Sequence, residues 1–125
     1  MTTYKVEKLT QIISELHTGI SGVDAVVLET YEGLVLASTL PTSLEEEIIA
    51  AVSSNTQSVV NRAVREIKHG KNHNTLIINS DGQIILTDID GKALLTVIAK
   101  RTANLGLISI MSRRVADDLK EVLPF

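Results

Sequence analysis

The chain has no cysteine, so disulfides, thiol catalysis and zinc–thiolate sites are excluded. Its aromatic residues are Tyr4, Tyr31 and Phe125, too few for a platform on which bases could stack. The net charge of −3 offers no basic surface to neutralise phosphates, so nucleic acid is not expected as a partner. No apolar run approaches the roughly 20 residues of a membrane span. The opening Met1 to Lys5 does not read as a signal peptide. The expectation is a cytoplasmic protein without membrane insertion. At 125 residues the chain suits one domain, 1–125.

What is present centres on Thr75 to Ala99. Three apolar runs, Leu76 to Ile78, Ile84 to Leu86 and Ala93 to Ala99, are separated only by Asn79-Ser80-Asp81-Gly82 and by Asp90-Gly91. Asp-Gly between apolar runs signals a hairpin, and links this short cannot carry a parallel crossover. The runs do not alternate cleanly, so apolar groups fall on both faces and both need cover. An antiparallel meander between helical layers follows.

Upstream, Val6, Leu9, Ile12, Ile13 and Leu16 recur at helical spacing, with Thr3 as candidate N-cap. Val23 to Thr30 and Leu34 to Ser38 flank Glu32-Gly33, a second hairpin. Ser43 with Glu46 matches the capping box of a long helix that nothing breaks before Gly70. Downstream, Leu105, Ile108, Met111, Val115, Leu119 and Val122 form a last helical stripe, capped by Thr102 or Asn104. Arg113 with Asp117 and Arg114 with Asp118 are spaced as ion pairs, and Gly106 within the helix suggests close packing. These signals predict helices at about 4–18, 43–69 and 104–122, and strands at about 23–30, 34–38, 74–79, 83–89 and 92–100.

The long helix is unusual, because Ile48 to Asn61 carries no charge. Ile48, Ala51, Val52, Val59 and Ala63 form one stripe, while Ile49, Val60, Val64 and Ile67 form a second, rotated from it. A helix with one wet face normally shows charges every turn. The plain reading is a wide core-facing stripe with a neutral polar back. Two partners, the sheet and something outside the subunit, explain the pattern better.

Several motifs fail on inspection. Asp88-Ile89-Asp90-Gly91 lacks the further oxygen ligands of a calcium loop, since Leu86 and Val97 stand where they would be needed. Gly91-Lys92-Ala93 lacks the Ser or Thr of a phosphate-binding loop and lies between strands. His69 and His73 are separated by Gly70, which makes a shared helical turn for a metal improbable. No nucleophile stands beside a base in a recognisable motif, so no enzyme is expected.

The order helix, two strands, long helix, three strands, helix resembles the Roadblock family of dynein light-chain-like domains. The likeness is carried by Gly22 to Val27 with Gly33 to Ala37, by Ala50-Ala51-Val52-Ser53-Ser54, and by Leu94 to Ala99 running into Asn104-Leu105-Gly106-Leu107. It implies an α/β three-layer sandwich: a five-stranded antiparallel sheet, the long helix on one face and the terminal helices on the other. It implies no cofactor and no catalytic residues. Family members are usually dimers that pair long helices and adjoining sheet edges. They act as platforms or regulators of Ras-like small GTPases, or as passive structural subunits of motor complexes.

With the charge-free stretch, the resemblance leads to a homodimer interface at Ile49, Val52, Thr56, Val60, Val64 and Ile67. A neutral polar surface of Ser53, Ser54, Asn55, Gln57, Ser58 and Asn61 is then expected to meet a Ras-like small GTPase. Uncharged amides and hydroxyls suit such a reversible contact, because they rehydrate at modest cost.

Overall fold

The computed structural model describes residues 3–125, with side chains from Lys5 onward. In chain order it runs α1 (Thr3–Gly19), β1 (Val23–Thr30), β2 (Val35–Thr39), α2 (Glu46–Glu66), β3 (Asn74–Ile78), β4 (Gln83–Ile89), β5 (Ala93–Ala99) and α3 (Leu105–Lys120). The expected capping role of Thr3 lies outside the described side chains. All pairings are antiparallel, in the order β2-β1-β5-β4-β3. This is the α/β three-layer sandwich expected.

Asp90 and Gly91 both have positive φ, 53° and 68°, which turns β4 back into β5. Gly33 plays a second part besides turning β1 into β2. Its φ is 91°, and a Cβ there would lie 3.3 Å from Ser54 Oγ and 3.5 Å from Ala51 Cα. The absent side chain lets α2 come down close to the hairpin.

One face of the sheet carries α1 and α3 over a conventional apolar core. Leu9, Ile13 and Leu16 of α1 meet Ile108, Val115 and Leu119 of α3 above Val26, Leu28, Ile85, Ile89, Leu95 and Val97. Each fully buried side chain of this size contributes about 1.5–3 kcal/mol. Asn104 caps α3, its Oδ1 accepting from Leu107 N at 3.0 Å.

Three local expectations are corrected. The capping box does not form: α2 begins at Glu46 with Glu45 as N-cap and no side-chain cap, and the Glu46 carboxylate accepts from Ser38 of β2 instead. A cross-layer bond has displaced the local one, and α2 is three residues shorter at each end. Neither Arg113–Asp117 nor Arg114–Asp118 forms; among the described residues the ion pairs are Lys92–Asp90 and Lys100–Asp24. Exposed pairs gain too little to fix two long side chains. Gly106 is not closely packed, since a Cβ there would meet only Asn104 Oδ1 at 3.5 Å, an ordinary contact.

Candidate interaction surface on the long helix

The second face of the sheet is covered by α2, and its polarity is inverted. The helix turns Ala50, Ser53, Ser54 and Gln57 inward. These positions are three or four apart, so they share one face of a 3.6-residue helix. Small residues let the axis lie close to the sheet. Gln57, fully buried, closes the contact with hydrogen bonds rather than apolar area. Its Nε2 donates to Asn61 Oδ1 at 2.8 Å and to Asn72 Oδ1 at 2.9 Å, and its Oε1 accepts from Thr75 Oγ1 at 2.8 Å. Both amide donors are satisfied, and the network ties α2 to the link before β3 and to β3 itself.

Beneath α2 the sheet is also partly polar. Glu29 of β1 is paired with Leu94 of β5 and is fully buried. Its Oε1 accepts from Thr96 Oγ1 at 2.7 Å, while Oε2 has no hydrogen-bond partner among the described residues. Burial pushes the Glu29 carboxyl up from 4.5 to about 8, and the Thr96 hydrogen bond offsets only part of that rise. The folded chain therefore carries Glu29 as the neutral acid at neutral pH.

The apolar side of α2 points away from the protein. Ile48, Val52, Val59 and Ile67 are exposed, Val59 by 70 %. All six residues expected at a homodimer interface, Ile49, Val52, Thr56, Val60, Val64 and Ile67, reach solvent to some degree. The stripe of Ile48, Ala51, Val52, Val59 and Ala63 is wholly outward, whereas Ile49, Val60 and Val64 of the second stripe are half-buried beside the face that meets the sheet. Tied to α2 through Thr75, β3 forms one edge of the sheet; its Leu76 and Ile78 are exposed on the opposite face, that of α1 and α3. An unpaired edge next to an apolar helix face is a surface built to be covered.

The polar set expected to meet a GTPase is divided. Asn55 and Ser58 are exposed, and Asn61 is half-buried. Ser53, Ser54 and Gln57 are buried against the chain's own sheet, which corrects their assignment to an outer surface. The difference is one of rotational phase: the sheet meets the small and polar face of α2 rather than an apolar stripe. At 100° per residue, Asn55 and Ser58 fall on the opposite flank of the outward stripe from Ile49, Val60 and Ile67.

The model of the Roadblock/LC7 domain matches residues 9–99. The chain belongs to the Roadblock/LC7 family. Among curated relatives, it is 36% identical over 89 residues to the uncharacterized protein MJ0310 of Methanocaldococcus jannaschii, covering 71% of this chain and 77% of that one. The Roadblock/LC7 fold is shared with solved structures of much lower identity. A Roadblock/LC7 domain from Streptomyces avermitilis superposes with a TM-score of 0.84 at 17% identity, over 90% of this chain and 94% of that one. The gliding protein MglB from Thermus thermophilus gives 0.86 at 13% identity, over 98% and 93%. No helix among the described residues of this Roadblock/LC7 chain is long and apolar enough to cross a membrane.

Proposed function

We propose that this Roadblock/LC7 chain is a cytoplasmic, non-catalytic homodimer that binds a Ras-like small GTPase and biases its nucleotide state or its location. The observation that carries the reading is the inverted helix. α2 spends its polar residues on its own sheet and presents its apolar ones, together with the free β3 edge, to a partner. A second copy is the partner such a surface fits. Pairing about a two-fold axis matches like stripe to like stripe and covers the β3 edge. Family membership supports the GTPase half of the proposal.

On the paired helices the flank of Asn55 and Ser58 stays accessible and forms the GTPase contact, in place of the wider set read from the sequence. A GTPase's switch segments are ordered by its γ-phosphate, so a platform that contacts them distinguishes the two nucleotide states. Arg62 is exposed on the same flank. It is the cation placed to approach a bound nucleotide. The alternative, a passive structural subunit, predicts no dependence on nucleotide.

Calorimetric titration with a Ras-like GTPase of the same organism separates the two readings. The platform should show at least about a tenfold difference in affinity between GTP- and GDP-loaded forms, worth ~1.4 kcal/mol. Asn55→Glu and Ser58→Glu should each weaken binding without altering oligomeric state. Equal affinity in both states would leave the passive subunit standing. Gln57 is unsuitable for this test, because its substitution breaks the network that seats α2.

A further inference from the structure

A cavity of about 480 Å³ opens at one end of the sheet, away from the outward stripe of α2, where the last turns of α2 and α3 approach the β4–β5 turn. Its lining gathers four cationic side chains from separate parts of the chain: Arg65 of α2, Lys71 of the link before β3, and Arg113 and Lys120 of α3. The protein has twelve lysines and arginines and a net charge of −3, so a third of its cations converge on one hollow of an acidic molecule. None of the four is in an ion pair among the described residues.

The carboxylates of the same cavity are largely engaged. Asp88 accepts from the Tyr31 hydroxyl through one oxygen and from Gly91 N at 3.2 Å through the other. Asp90 lies 3.7 Å from Lys92 Nζ. The neutral donors on Asp88 leave its charge in place, so Asp88 and Asp117 are left to balance four cations, and Asp117 forms no pair with Arg113 one turn away. The negative ends of α2 and α3 account for cations in their final turns, Arg65 and Lys120. They do not account for Arg113, two turns earlier in α3, or for Lys71 in the link. Like charges gathered in a hollow repel one another, and an anion between them relieves that repulsion.

We propose that this cavity binds a small ligand bearing phosphoryl groups. Two guanidinium groups suit bidentate contacts with phosphoryl oxygens, while the two ammonium groups act as point charges. The volume lies within the range of small-molecule sites and admits a mononucleotide as well as a bare polyphosphate. Asn61, Asn72 and Tyr31, held in place by their bonds to Gln57 and Asp88, give the remainder of the cavity an uncharged polar wall. The proposal is independent of the GTPase reading.

Calorimetric titration of the full chain with pyrophosphate, ATP and GTP, at fixed ionic strength, tests it. Saturable binding of one ligand per chain is expected for at least one probe. Pyrophosphate binding alone would mark a phosphate subsite, whereas tighter nucleotide binding would show that the rest of the cavity is used; both support the site. Arg113→Gln and Lys71→Gln should each weaken binding about tenfold, the usual effect of losing one charge-assisted contact. Arg114→Gln, an exposed neighbour outside the cavity, should change it less than about twofold. Circular dichroism confirms that each variant is folded. Lys71 lies in an exposed link, so its variant decides the matter should Arg113→Gln unfold. No saturable binding of any probe, or equal loss from all three substitutions, overturns the proposal.

Discussion

Val59→Lys should leave the chain folded and make it monomeric. Val59 is the most exposed of the large apolar residues of α2 and has no part in the sheet contact, so the subunit has no structural reason to resist lysine there. In the proposed dimer the same substitution buries an ammonium in an apolar seam. Mutational data put an uncompensated buried polar group at roughly 1–3 kcal/mol, with a charge costing more. Two-fold symmetry applies the penalty twice, because each copy contributes the residue. A total of about 4 kcal/mol corresponds to about a thousandfold weaker association. Sedimentation equilibrium across the micromolar range reads this directly. A wild type that is already monomeric at tens of micromolar, or a variant that stays dimeric, would remove the basis of the proposed assembly.

The second large effect concerns Glu29. Unfolding exposes a carboxyl that titrates near 4.5, whereas the folded chain holds its proton to about pH 8. Folding therefore takes up a proton between those values. The contribution of Glu29 to stability is complete below pH 4.5, declines as pH rises towards 8, and is flat above. The gap between the two values bounds the loss at about 5 kcal/mol, and relaxation with water entry reduces it to on the order of 2–3 kcal/mol. Glu29→Gln mimics the neutral acid in shape and cannot ionise. Urea denaturation at fixed protein concentration should show wild type and variant close together at pH 5. At pH 8.5 the variant should be the more stable by on the order of 2–3 kcal/mol. Parallel pH profiles would show that Glu29 ionises freely in the folded state.

The elements were legible because their signals are local. Apolar period, Asp90-Gly91 and Gly33 act within a few residues, and strand ends fell within one residue of expectation. Cross-layer competition was not legible. Glu46 left its capping partner for Ser38, which neighbours it only after β2 has folded. The rotational phase of α2 is hidden in the sequence for a deeper reason. Apolar stripes are assigned to a chain's own core by default, and nothing in Ile48 to Asn61 says which side is the sheet. Gly33 and the run of small residues at Ala50, Ser53 and Ser54 held the missing signal, since a turn without a side chain calls for a helix face without bulk. The cationic cavity left no trace in sequence: Arg65, Lys71, Arg113 and Lys120 span nearly half the chain without forming a motif.

The central strand of the sheet, β5, pairs with β1 from the opposite end of the chain; Val26 pairs with Val97, roughly 70 residues later. During synthesis, β1 and β2 can form a hairpin as soon as they emerge, but β4 has no neighbour on its inner side until β5 has been made. The apolar core under α1 and α3 also waits for that last strand. For most of translation the nascent chain therefore displays α2 and an open sheet with no layer complete, and a ribosome stalled before Ala93 would hold a sticky intermediate rather than a small domain.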